Sequence, residues 1–427
     1  MTKSIAGWAL FDWSTQPFFT LITTFLFAPY FTSVVVGDAV HGQSLWGLGQ
    51  GAAGAVIAIS SPVLGAIADS MGRRKPWIAG FAIVAIICMA LLWMARPGVP
   101  DAVMVTLMLI VFATIAVEFA TVFNNAMMPT LVPKAELGRL SGFGWGLGYF
   151  GGLVSLAIML GLFVLPAVPS FGLSKVLHEP ERLVGPFSAA WLAIFILPLF
   201  LWTPDTPAKM KISVAVTNGL RTLGTTLGHL RRYRVILHFL VARMLYNDGL
   251  TAVFAFGGIY AAGMFGWNQT ALGIFGIIIV IFAMAGAFVG GWLDDRLGSK
   301  PTVLLALTGL ILSLVGILSI APAAAAGSGL FSTGPEKAMI ACAALLGLFA
   351  GPAQAASRTL MARLAPPDLT TEFFGLYALS GKATAFAAPL AVSLATSVFV
   401  SQRAGLMAII VFLVVGAVLL VRLRADT

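Results

Sequence analysis

Gly65-Ala-Ile-Ala-Asp69-Ser-Met-Gly72-Arg73-Arg74-Lys75 is a short polar break between two long apolar runs, and Gly291-Trp-Leu-Asp-Asp295-Arg-Leu-Gly298-Ser-Lys300 repeats it, Asp295 standing 226 positions after Asp69. At a similar shift of 233, Leu131-Val-Pro133 with Gly142 falls on Leu364-Ala-Pro366 with Gly375. Two unrelated loops would not share this spacing, so the chain reads as a duplicated unit. The runs on either side say what is duplicated. Of the 427 residues 59% are hydrophobic and 10% charged, with a mean hydropathy of +0.98. Soluble domains carry about 25% charge, and a helix crosses ~30 Å of hydrocarbon with ~20 apolar residues. Length and composition therefore predict membrane spans joined by loops, with little chain left over.

The apolar runs predict twelve spans near 6–36, 46–68, 76–95, 102–128, 139–165, 185–202, 235–264, 270–293, 301–321, 337–364, 371–400 and 404–421. The fold class expected is an all-α integral membrane protein in two six-helix bundles, 1–202 and 235–427. Between them a linker, 203–234, holds Lys209, Lys211, Arg221, Arg231, Arg232 and Arg234 and is expected to carry an amphipathic surface helix. With the N-terminus inside, these six join Lys3, Arg73, Arg74, Lys75, Lys134, Arg139, Arg296, Lys300, Arg363, Arg422 and Arg424 on one side. Only Arg96, Lys175, Arg182, Lys337 and Arg403 fall on the other, so the positive-inside rule predicts both termini in the cytoplasm. The net charge of +9 follows from topology, and no basic stripe points to nucleic acid. The first apolar run carries Asp12 and continues to about Phe31, longer than a signal-peptide core, and is expected to be the first span.

The break with its glycines, acid and basic residues, placed after the second of six spans and again after span eight, resembles motif A of the major facilitator superfamily. Gly7-Trp-Ala-Leu-Phe-Asp12-Trp13, Leu245-Tyr-Asn-Asp248-Gly249 and Glu372-Phe-Phe-Gly375-Leu-Tyr-Ala-Leu-Ser-Gly-Lys382 are similar to the branch holding the autophagy-related vacuolar amino-acid effluxers and their bacterial relatives. The resemblance covers essentially the whole chain. It implies a rocker-switch carrier of a bacterial inner membrane, with a central site shared by the two bundles. Antiporter-type span-five motifs place Pro after a glycine; Gly144-Trp-Gly-Leu-Gly148-Tyr149-Phe150-Gly151-Gly152 has none, so both directions of transport stand.

Charge inside a span costs about 2.5 to 3.5 kcal/mol at its centre, so ionisable residues there face a cavity or one another. Six qualify: Asp12, Glu118, Arg243, Asp248, Arg358 and Lys382. Glu118, Asp248 and Asp12 are the expected proton-coupling groups. Lys382, Arg358, Gln354, Arg243 and Asn125 are the expected substrate contacts, and structural ion pairing among the same charges is the competing reading. The first half offers only acids and the second three bases and one acid, a division that suits a zwitterion such as an amino acid; sugars and amphipathic drugs remain alternatives. Gating is expected at Asp69, Arg73, Arg139, Asp295 and Glu372. Aligning the halves sets Arg139 opposite Glu372, which predicts Asp295 meeting Arg139 and Glu372 meeting Arg73 or Arg74 near Asp69. On that pairing, the swap Asp295→Arg with Arg139→Asp should restore what each single change loses. Pro17, Gly351-Pro352 and Pro389 are expected kinks.

Cys88 and Cys342 form no CxxC, and the four histidines fall in or near loops without HExxH, so neither a metal centre nor an enzyme is expected. Paired six-helix halves argue for alternating access over a symmetric pore. A transporter-like receptor is the remaining rival. The expected partners are a small-molecule solute, protons and the lipid bilayer, with no cofactor and a monomeric state.

Overall fold

A computed structural model of the chain describes residues 2–99, 101–210, 212–228, 233–265, 267, 269–321 and 331–423. Lys211, Arg231, Arg232 and Arg424, four of the residues that set the expected topology, lie outside them. Among the described residues there is no strand. Within the same residues twelve helices are long and apolar enough to cross a membrane: Lys3–Val35, Leu45–Met71, Lys75–Met94, Ala102–Thr130, Lys134–Val164, Glu179–Trp202, Arg234–Gly258, Ala271–Leu297, Ser299–Ser319, Gly334–Leu364, Pro367–Thr396 and Gln402–Val421. The protein is an all-α, multi-pass membrane protein of the expected class. Span six begins at Glu179, six residues before the expected start, because its charged first turn, Glu179-Pro-Glu-Arg182, reads as loop. Pro at the second position and two acids at the positive dipole end suit that turn. The linker helix is Ile212–Gly228.

The prolines act in three ways. Span one leaves α-helical geometry at Pro17, with wide π turns over Phe18–Phe25 and Phe31–Val35. Span eleven stops at Lys382 and restarts at Ala387. Pro389 has no N–H and its ring crowds the carbonyl four residues back, so the break falls ahead of the proline and not at it. Span ten runs unbroken through Pro352. There the Leu348 carbonyl that the proline frees is packed on Gly286, where a Cβ would collide with it.

The residues form two compact units: Met1–Leu131 with Leu147–Gly224 and Pro367–Ala378, and Val132–Gly146 with Thr225–Pro366 and Leu379–Thr427. Where the sequence repeat divides the chain into 1–202, 203–234 and 235–427, the units also exchange the starts of spans five and eleven. Glycine contacts explain the exchange. In the first unit a Cβ on Gly375 would lie 2.5 Å from the Ser61 carbonyl, and one on Gly65 2.5 Å from that of Thr371. In the second, a Cβ on Gly142 would collide with the Ala287 carbonyl and one on Gly291 would lie 2.6 Å from that of Gly138. Those positions match by the repeat shifts, so one small-residue crossing has been built twice.

Candidate functional site

In the first unit span two ends in Gly72, whose φ of +92° suits the residue that lacks a Cβ. Three residues earlier, buried Asp69 accepts from the Thr371 hydroxyl at 2.6 Å, the Glu372 backbone N–H at 2.9 Å and Arg74 Nη2 at 3.1 Å. The carboxylate thus sits on the positive end of the helix Thr370–Lys382. Arg74 also donates to Thr371 Oγ1 at 2.9 Å and Thr206 Oγ1 at 2.8 Å. Asp205, on the chain leaving span six, accepts from the Arg74 and Lys75 backbone N–H groups. Arg73, the gating residue expected from sequence, is exposed; the buried place is taken by its neighbour. Adjacent side chains on this turn point apart, and spacing alone does not say which one turns inward. Arg74→Ala should therefore cost about 3 to 5 kcal/mol by stranding a buried carboxylate. Arg73→Ala should stay within about 0.5 kcal/mol. Thermal unfolding of the purified variants compares them.

The second unit repeats this end. Asp295 accepts from the Gly138 and Arg139 backbone N–H groups at 2.8 and 3.0 Å and from Arg139 Nε at 2.7 Å. The expected meeting of Asp295 and Arg139 is present, although the Arg139 side chain is 60% exposed against 8% for Asp295. Beside it, buried Asp294 pairs at 2.9 Å with the half-buried Arg363, which sequence reading counts only for topology. Their signal was the doubled acid, since the first-half counterpart of Asp294 is Ala68.

Further along the spans, the first unit carries Asp12 and Glu118, both half-buried, with buried Asn124 and Asn125. Trp8 Nε1 donates to the Asn124 carbonyl at 2.8 Å, which fixes the level of span one against span four. From that level Asp12 lies one turn on, about 6 Å, and Glu118 about 9 Å along the antiparallel helix, at ~1.5 Å per residue. The two acids therefore stand at nearly one depth. Glycines let span five approach them: Gly148 faces Gln16 and Asp12, and a Cβ on Gly152 would meet Thr20 Oγ1 at 2.5 Å.

In the second unit the bases are engaged. Arg243 donates to Ser380 Oγ at 2.7 Å and lies against Gly381, at the negative end of the helix that stops at Lys382. Asp248, buried five residues on, lies by Thr384 inside the span-eleven break and in the field of Arg243. Those charges flank the break from span seven. Arg358 is held by Ser141, Nε to Oγ at 2.9 Å and Nη2 to the carbonyl at 2.6 Å, with Trp145 beside it. Buried Arg358 thus ties span ten to the start of span five, a task no sequence pattern assigned it. Tyr246 and Ser357 share a 2.7 Å hydrogen bond. Gln354 and Lys382 are half-buried.

The profile of the family described as "Vacuole effluxer Atg22 like" matches residues 32–427. Over 100% of its length and 96% of the relative's, the chain is 25% identical to an uncharacterized MFS-type transporter, YxiO, of Bacillus subtilis. It is 26% identical to autophagy-related protein 22-1 of Penicillium rubens, over 66% of this chain and 49% of that one. The chain spans about half the length of the fungal relatives it matches. Solved structures with the same fold include the proton:xylose symporter XylE, with a TM-score of 0.70, 14% identity and coverage of 97% and 93%. Another is the major facilitator transporter FucP in an outward conformation, at 0.71, 14%, 100% and 99%. At such identities the likeness shows the fold alone.

Proposed function

The chain belongs to the vacuole effluxer Atg22-like family and is a secondary transporter of the major facilitator superfamily, and we propose that it couples protons to the movement of a small zwitterionic solute, such as an amino acid. The observation that carries this reading is the division of charge. In the depth of the spans the first half places only acids, Asp12 and Glu118, while the second places three bases, Lys382, Arg243 and Arg358, beside one acid, Asp248. Acids on one half suit an ammonium group and bases on the other a carboxylate, Lys382 being the base nearest the span-eleven break. Glu118, Asp12 and Asp248 are the proton carriers of this scheme.

Asp69 and Asp295 are the latches, each holding the N-terminal end of a helix through backbone N–H groups. Such a contact is made or lost as a unit, which is what alternating access asks of a gate. The basic side carrying both termini is assigned to the cytoplasm of an inner membrane by the positive-inside rule. The carrier works as a monomer of two six-helix halves.

Competition for counterflow tests the solute class. In proteoliposomes loaded with unlabelled amino acids, entry of a labelled amino-acid mixture should be blocked by the parent amino acids. Their amidated or N-acylated forms should block it at least about tenfold less well, since each loses one charge-assisted contact. Equal competition by the neutral forms would contradict the zwitterion reading.

A further inference from the structure

Asn124 is 0% exposed, and neither atom of its amide has a hydrogen-bond partner among the described residues. Buried side-chain polar atoms are nearly always paired, and the exceptions ask for a reason. The repeat sharpens the question. The 233-residue shift sets Asn124 on Ser357, and each position meets an aromatic side chain from the first span of its own half. Tyr246 gives Ser357 a hydroxyl partner. Trp8 has a single polar atom and gives it to the Asn124 backbone carbonyl, so the amide is sealed in without one. An apolar residue of the same size would be at least as stable there, because removing an unmatched polar group removes its desolvation cost. Nothing in the packing of this state calls for an amide.

We infer that the Asn124 amide is a solute-binding group of span four, shut behind Trp8 while the latches are closed and turned to the aqueous path when they open. The inference rests on the carrier reading above. An amide offers two N–H donors and a carbonyl acceptor on one plane, so it can give to a carboxylate and take from an ammonium. Asp12 and Glu118, one to two helical turns deeper, would share the ammonium.

Cysteine labelling tests this without knowledge of the solute. With Cys88→Ser and Cys342→Ala as background, Asn124→Cys and, separately, Gln354→Cys are reacted with N-ethylmaleimide in membranes, with the latches intact or opened by Asp69→Ala and Asp295→Ala. Position 124 should react slowly when latched and about tenfold faster or more when unlatched. A rise at 354 without one at 124 overturns the inference alone. No rise at either position overturns the carrier reading and the inference with it. Asn124→Leu gives an independent check: its melting temperature should equal or exceed that of the parent, while counterflow of a labelled amino-acid mixture falls about tenfold or more, in line with the loss of a solute contact in a desolvated site. Undiminished counterflow, or a lower melting temperature, overturns it.

Discussion

Asp295→Ala should open the latched side of the proposed carrier, and the charge swap Asp295→Arg with Arg139→Asp should not close it again. Pairing of charges by sequence predicted rescue. The backbone contacts argue for the opposite outcome, because Asp295 takes the Gly138 and Arg139 backbone N–H groups as well as the guanidinium. An arginine at 295 has no acceptor to offer them and sets a cation against the positive end of span five. The exposed Arg139 side chain adds little, as solvent-facing ion pairs generally do. Each charge-assisted bond to a backbone N–H contributes about 1.5 to 3 kcal/mol, so losing two should shift the gate by tenfold or more, at ~1.4 kcal/mol per factor of ten. Maleimide labelling at Gln354→Cys should rise in Asp295→Ala, stay raised in the swap and remain near the parent value in Arg139→Ala. Return of the swap to the parent rate would show that the side-chain pair carries the latch.

Most of the fold was legible because hydropathy and repetition are properties of the chain itself. Twelve apolar runs and the doubled break around Asp69 and Asp295 gave the fold class and the places where spans two and eight meet the starts of eleven and five. What stayed hidden depends on which way a side chain turns. Arg73 and Arg74 are alike in sequence, and only the fold around Thr206 and Asp205 turns the second inward. Arg182 reads as an outer-loop charge, yet it is buried, with two donors on the Trp93 carbonyl and the Trp93 ring beneath it. Arg358 reads as a solute contact by its depth, while its hydrogen bonds to Ser141 appear only once span five is in place. The interruption of span eleven was assigned to Pro389 because sequence shows the proline and not the carbonyl it displaces, whereas helix is lost from Ala383 to Phe386.

Glu118→Gln should abolish uphill transport and spare exchange. Glu118 stands at the depth of Asp12 on a helix with no other charged residue between Ala102 and Thr130. In the proposed carrier a carboxyl there exchanges a proton with whichever side is open; the glutamine amide fills the same space and keeps hydrogen bonding but does not titrate. Exchange of solute for solute needs only alternation with the site occupied, so it survives, while net accumulation needs the carrier to return without solute and the acid to change its protonation between the two crossings. The effect should be complete loss of concentration and not a change of degree. Proteoliposomes holding either protein, given an imposed pH gradient and a labelled amino-acid mixture, measure both properties in one preparation. The account predicts accumulation above equilibrium by the parent, and counterflow without accumulation by Glu118→Gln. Accumulation by the variant under the same gradient would contradict it.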